Sequence, residues 1–147
     1  MSVNVVSEVV IHRPCEVVSG FAANPDNAPR WYVNIKSVEW KTPRPLSVGS
    51  KVAFVAEFLG RRLEYTYEFV EWIPGKRLVM RTAEGPFPME TEYTWESTKD
   101  GSTRMILRNC GNPSGFSRLV APFLTMAMRR ANRKDLDLLK KTLEDSV

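Results

Sequence analysis

Residues 62–72 read Arg62-Leu63-Glu64-Tyr65-Thr66-Tyr67-Glu68-Phe69-Val70-Glu71-Trp72. Leu63, Tyr65, Tyr67 and Phe69 share one parity, and Glu64, Thr66 and Glu68 the other. A period of two that separates apolar from charged residues marks a β-strand with one buried and one wet face. Val70 puts an apolar residue on the polar parity, so the spacing predicts a bulge near Phe69-Val70. The alternation recurs further along the chain. Met89, Thr91, Tyr93 and Trp95 oppose Glu90, Glu92 and Glu96, while Met105, Leu107 and Asn109 oppose Arg104, Ile106 and Arg108. Acids and bases are expected outside; aromatics, methionines and hydroxyls are expected inside.

Working outward, segments 35–41, 51–58, 77–83, 89–97 and 102–109 join 62–72 as strands. Between them lie Pro43 to Pro45 with Gly49, Leu59-Gly60, Pro74-Gly75, Gly85-Pro86 with Pro88, and Asp100-Gly101. Such turn chemistry between short strands implies an antiparallel meander. Segment 4–11, rich in valine, predicts one more strand. Arg13-Pro14 ends it and starts a short helix, because proline suits the first turn of a helix and disfavours helical dihedrals before it. Asn24-Pro25-Asp26 starts a second short helix that ends near Trp31-Tyr32. Beyond Asn112-Pro113-Ser114-Gly115, residues 116–143 predict a long helix with a kink near Pro122. On a helical wheel Met128, Leu136, Leu139 and Leu143 fall within about 40° of Asn132, one stripe for the sheet. Arg129, Arg130, Arg133, Lys134, Lys140 and Lys141 take the flanks and back, where Asp135, Asp137, Glu144 and Asp145 dilute their charge.

The chain has 147 residues, 43% hydrophobic and 26% charged, which suits one compact domain over residues 1–147. Two cysteines, Cys15 and Cys110, are too few for a disulfide scaffold and have no C-x-x-C spacing. Neither a signal-type N-terminus nor an apolar run of membrane-spanning length occurs. A soluble, cytoplasmic protein is expected. The net charge of +4 is mild, with most of the excess in the C-terminal third.

The local wording resembles one superfamily across essentially the whole chain. It consists of Ile11-x-x-Pro14, Asn24-Pro25-Asp26-Asn27-x-Pro29-x-Trp31, Val48-Gly49-Ser50-Lys51-Val52, Gly60-Arg61-Arg62-Leu63-Glu64-Tyr65 and Asp135-Leu136-x-x-Leu139-Lys140. With the element order, these segments are similar to the START-like or SRPBCC superfamily, the polyketide cyclase/dehydrase-like helix-grip proteins. The resemblance implies an α+β fold: a seven-stranded curved antiparallel sheet, two short helices after strand 1, and a long C-terminal helix over the concave face. It also implies an apolar cavity between sheet and helix. The superfamily includes lipid carriers, polyketide cyclases, hormone receptors and co-chaperone domains, so function must be read from the site.

The inward parities, with the loops at one end, nominate a ligand-binding set: Trp31, Phe54, Phe58, Tyr65, Tyr67, Met80, Thr82, Phe87, Met89, Thr91, Tyr93, Leu107, Asn109, Phe116 and Met128. Trp31, Phe87 and Phe116 are expected beside its mouth. Several hydroxyls and amides among apolar neighbours need partners, since each buried group left unpaired costs about 1–3 kcal/mol. Either they bond to one another or to backbone, or water or a ligand supplies the partners. A pocket of roughly 500 Å³ standing empty would cost on the order of 10 kcal/mol, so the space should be wet, small or occupied. A ligand burying about 300 Å² gains roughly 7 kcal/mol before association costs, which predicts micromolar or weaker affinity.

A nucleophile with its base is missing. The single histidine, His12, sits at the junction of the first strand and helix, and the cysteines suit packing. Strand carboxylates alternate outward, so neither a metal nor a cofactor is expected. Tyr67, Tyr93 and Asn109 are the candidates for holding an enol or carbonyl oxygen in a cyclase or dehydratase, a reading that lacks an evident general base unless a bulge turns Glu90 inward. The main expectation is binding or transport of a small, mostly apolar lipid, polyketide or aromatic metabolite. A cyclase/dehydratase activity is the first alternative, and a protein or membrane interaction through the basic helix the second. No nucleic-acid partner and no stable membrane insertion are expected; a homodimer is compatible with the sequence.

Overall fold

Seven strands form one sheet in the order β1-β7-β6-β5-β4-β3-β2, with every neighbouring pair antiparallel. The structure, a computed structural model, describes residues 3–85, 88–112 and 121–145. The elements are β1 (Val3–Ile11), α1 (Cys15–Ala23), a 3-10 turn (Pro25–Asn27), α2 (Ala28–Trp31), β2 (Ile35–Trp40), β3 (Lys51–Phe58), β4 (Arg61–Ile73), β5 (Arg77–Glu84), β6 (Met89–Ser97), β7 (Thr103–Gly111) and α3 (Ala121–Asp145). The sheet curves, and α3 runs along it beside β1.

Most expected elements are present, with two differences among the described residues. The second short helix is a 3-10 turn followed by a single turn of α-helix, because Pro25 and Pro29 remove two donors from so short a segment. Strand β7 continues past Asn109 to Gly111, which pairs with both Met89 and Val3. Pro122 falls in the first described turn of α3, and the kink expected there turns on the residues before it. The expected stretch 116–120 lies outside the described residues.

The β4–β5 register shifts between Phe69 and Glu71, the bulge that Val70 predicts. Outward-facing charges pair across strands as the parities require. Arg77 Nε and Nη1 donate to Glu71 at 2.9 Å and Glu92 at 2.7 Å, and Arg104 Nη2 donates to Glu8 at 2.5 Å. These half-exposed pairs set register more than they stabilise. Two bases of α3 brace the edge of the sheet. Arg133 Nη1 donates to the Glu8 carbonyl at 2.6 Å, and Lys140 Nζ to the Val10 carbonyl at 2.7 Å. Both carbonyls belong to edge strand β1, whose outer side would otherwise offer free acceptors.

One end of the space between sheet and helix is sealed. Ile11, Val18, Trp31, Leu78, Trp95, Met105, Leu107, Leu136, Leu139 and Leu143 form a continuous buried cluster there. Arg13 Nη1 donates to the Leu143 carbonyl at 2.7 Å, and the His12 N–H to Glu144 at 2.8 Å, closing the C-terminal turn of α3 onto the β1–α1 junction. The remaining His12 contact, Nδ1 to Ser102 Oγ at 3.0 Å, gives that side chain a bracing role.

Candidate functional site: a cavity between sheet and helix

Away from the sealed end, β2 to β7, α1, α2 and α3 line a partly open cavity of about 170 Å³. It is smaller than the roughly 500 Å³ expected of such a pocket, and its void cost falls to about 4 kcal/mol on the same coefficient. The space was to be wet, small or occupied; it is small and polar on one side.

All four tyrosines of the chain, Tyr32, Tyr65, Tyr67 and Tyr93, line it. Alternation on β4 and β6 accounts for three of them. Tyr32 arrives by a different route, at the C-cap of α2. Asp26 fixes that approach: Asn24 Oδ1 accepts from its N–H at 3.1 Å, while its carboxylate accepts from Trp40 Nε1 at 2.8 Å and Arg44 Nε at 3.0 Å. The Arg44 and Trp40 donors hold Asp26 below the usual carboxylate range, and the linker is pinned to β2.

The expected residues Phe54, Phe58, Tyr65, Tyr67, Met80, Met89, Thr91, Tyr93, Asn109 and Met128 are brought together in the cavity wall. Three others are not. Trp31, expected at the mouth, is fully buried, with its ring 4.1 Å from that of Tyr32 and 5.7 Å from that of Tyr93. It supports the wall from behind because a whole indole on a one-turn helix finds room only in the core. Leu107 is fully buried in the sealed cluster below Tyr93. Thr82 spends its hydroxyl on the Met89 N–H at 3.0 Å, bracing the start of β6. Phe87 and Phe116 lie outside the described residues.

Two hydrogen-bonded groups make up the polar wall. In the first, Thr91 Oγ1 donates to Asn109 Oδ1 at 2.6 Å and Asn109 Nδ2 donates to Asn132 Oδ1 at 3.1 Å. Tyr67 joins through its hydrogen bond to Thr91; burial pushes its phenol up to about 12 against that bond. The series ends at Asn132 Nδ2, which is buried without a partner among the described residues. In the second, the Tyr32 and Tyr93 hydroxyls bond to each other, and burial raises both phenols well above their ordinary range.

Beside that pair stands Asp135, a residue expected among the solvated charges of the helix. It is 3% exposed and lines the cavity. Removal from water pushes its carboxyl up to about 7, opposed by the Val33 N–H that donates to Oδ1 at 2.9 Å. Its position on the helix carried the signal: seven residues separate Asp135 from Met128, about 20° on the wheel. Reading acid as solvated hid it. Glu90, by contrast, pairs with Arg81 at 3.6 Å and is not among the residues lining the cavity, so Asp135 is the carboxyl in the described wall.

The opposite wall is apolar. Phe58, Leu63, Met89, Leu124 and Met128 border the cavity toward the β3–β4 hairpin. Gly85 packs there against Tyr65: a Cβ at that position would lie 2.5 Å from Tyr65 Cδ1, so a side chain would push the ring into the cavity. Among the described residues no cluster of three or more histidine, cysteine or acidic side chains is placed to hold a metal, and no helix is long and apolar enough to cross a membrane.

Solved structures of the same fold match the chain over nearly its whole length. A START superfamily protein from Mycobacterium smegmatis superposes with a TM-score of 0.84 at 12% identity, covering 98% of this chain and 99% of that one. Protein TTHA0849 from Thermus thermophilus gives 0.83 at 19% identity, with 97% and 98% covered. The Zhui aromatase/cyclase from Streptomyces sp. R1128 gives 0.82 at 15% identity, with 98% and 94% covered. At these identities the likeness concerns the fold. No curated protein sequence matches the chain closely enough to count as a relative. A family model described as polyketide cyclase / dehydrase and lipid transport matches residues 2–144, and the chain belongs to that family.

Proposed function

We propose that residues 1–147 act as a ligand-binding domain for one small, mostly apolar molecule held between the sheet and α3. The observation that carries this reading is the two-sided wall: an apolar half at Phe58, Leu63, Leu124 and Met128 faces a polar half in which Asn132 Nδ2 has no hydrogen-bond partner among the described residues. At about 170 Å³ the space is of the size that holds a benzene-like ring, which narrows the lipid, polyketide or aromatic range to one ring or a short chain. Buried donors such as Asn132 Nδ2 gain a partner only when something polar enters.

The test is a thermal-shift and titration series with one-ring aromatics and short aliphatics, run on the parent and on Ala131→Leu. Ala131 lines the cavity from α3, and a larger side chain there fills it. Micromolar to millimolar binding by the parent, lost in a folded Ala131→Leu protein, supports the reading. Equal responses of the two proteins across the panel would sink it.

A second reading, catalysis of a cyclisation or dehydration, is favoured by one observation: the Asp135 carboxyl, pushed up to about 7, sits beside the Tyr32–Tyr93 pair. A group poised near neutrality can both take and give a proton, while Tyr67, Tyr93 and Asn109 hold an oxygen. Turnover of a β-hydroxy or polyketone substrate that Asp135→Asn abolishes, with fold retained, is the result this reading requires. Turnover that Asp135→Asn leaves unchanged removes it.

A further inference from the structure

The ligand-binding reading leaves the charge of the cavity unexplained. Its described lining residues include no lysine, arginine or histidine, and Asp135 is the single carboxyl among them. Val33 N–H holds Oδ1 at 2.9 Å, while Oδ2 has no hydrogen-bond partner among the described residues. The titratable groups facing Asp135 are the Tyr32 phenol beyond α2 and the Tyr93 phenol on β6. Arg30 of α2 is turned elsewhere, its guanidinium 5.0 Å from the Phe21 ring centre. One turn earlier on α3, Asn132 Nδ2 is a second unpartnered group in the same wall.

A carboxylate in such a site is costly until a positive charge meets it. An ammonium at Oδ2 makes charge-assisted hydrogen bonds, roughly twice as strong as neutral ones, and the tyrosine faces attract the same charge. A fatty-acid or phosphate head meets the opposite situation, with a like charge in the wall and no lysine, arginine or histidine among its described lining residues. We propose that the cavity selects a small protonated amine on a one-ring or short aliphatic body, its nitrogen against Asp135 and a neighbouring oxygen accepting from Asn132. This assignment rests on the small-ligand reading and supplies its chemical class.

Three probes of matched shape test it: 2-phenylethylamine, 2-phenylethanol and phenylacetate, titrated by calorimetry or by intrinsic fluorescence. At pH 8 the amine should bind at least tenfold tighter than the alcohol, with phenylacetate weakest. Lowering the pH to 5.5 should erase the amine's advantage, because Asp135 takes up a proton while the amine stays charged. Asp135→Asn should reduce amine affinity to that of the alcohol for the same variant. The comparison among probes and the pH profile need only the parent protein, so they hold even if the variant folds poorly. Alcohol binding as tight as amine binding at pH 8 overturns the amine assignment and leaves the small-ligand reading standing. Binding of none of the three also overturns it, and the Ala131→Leu panel then decides the wider reading.

Discussion

The two halves of α3 face the same sheet and do opposite things with it. In the C-terminal half, Leu136, Leu139 and Leu143 are buried against Ile11, Trp95 and Met105, and none of these six lines the cavity. From the N-terminal end to just past the middle, Leu124, Met128, Ala131, Asn132 and Asp135 border a cavity of about 170 Å³. The strands do not make this difference, since tyrosines and methionines alternate inward at both ends. The helix makes it: leucines fill the space over the sealed half, whereas alanine and two short polar side chains leave space over the other. A helix gripping a curved sheet becomes a container where its inward stripe loses volume and gains polarity.

The sharpest way to break this contrast is to open the sealed half. Leu139→Ala should cost about 2–5 kcal/mol in urea unfolding, because a fully buried leucine there leaves a hole its neighbours cannot refill. Met128→Ala, in the half that already borders a void, should cost clearly less; equal losses would erase the distinction.

The next effect is set by pH. Asp135 is raised from its ordinary 3.8 to about 7 by burial, so between those values the folded protein holds a proton the unfolded chain has released. Stability should therefore fall as pH rises from about 4 to about 7, by up to about 4 kcal/mol, and stay level above. Asp135→Asn keeps an oxygen for the Val33 N–H and should flatten that limb, leaving the variant more stable at pH 8 and the two proteins similar near pH 4. Parallel curves for both proteins would place the titrating group elsewhere.

The smallest effect concerns the hairpin at the cavity end. Leu59 and Gly60 link β3 to β4 with φ of 52° and 74°, the paired positive dihedrals of a tight hairpin turn. Gly60 adopts this freely. Leu59, 55% exposed, does so against its Cβ. Leu59→Asn should raise stability by about 1 kcal/mol, read as a higher melting temperature, and leave the sealed half untouched.

Much of the fold was legible because alternation and turn residues act locally. Glu64 and Tyr65 cannot exchange faces without exposing the tyrosine row, so β4 declares its own orientation. The bulge at Val70 and the strand ends at Pro74-Gly75 and Asp100-Gly101 follow from the same short-range chemistry. The site was legible in part: parity located Tyr65, Tyr67, Thr91, Tyr93 and Asn109, but it could not separate Leu107, under the wall, from Met89, on it. Depth depends on what the opposite layer places above a residue, and that layer comes from distant sequence.

By itself, then, the sequence determined which residues form strands, where the chain turns, and which side of each strand avoids water. Tertiary structure alone decided that Trp31 is hidden, that Tyr32 reaches Tyr93, and that Asp135 leaves the charged face of its helix for the cavity. The physical reason is the range of the forces: backbone preference and amphipathic pattern act over a few residues. Burial of a carboxyl, and the rise in its proton affinity, exist only once α2, β6 and α3 have closed around it.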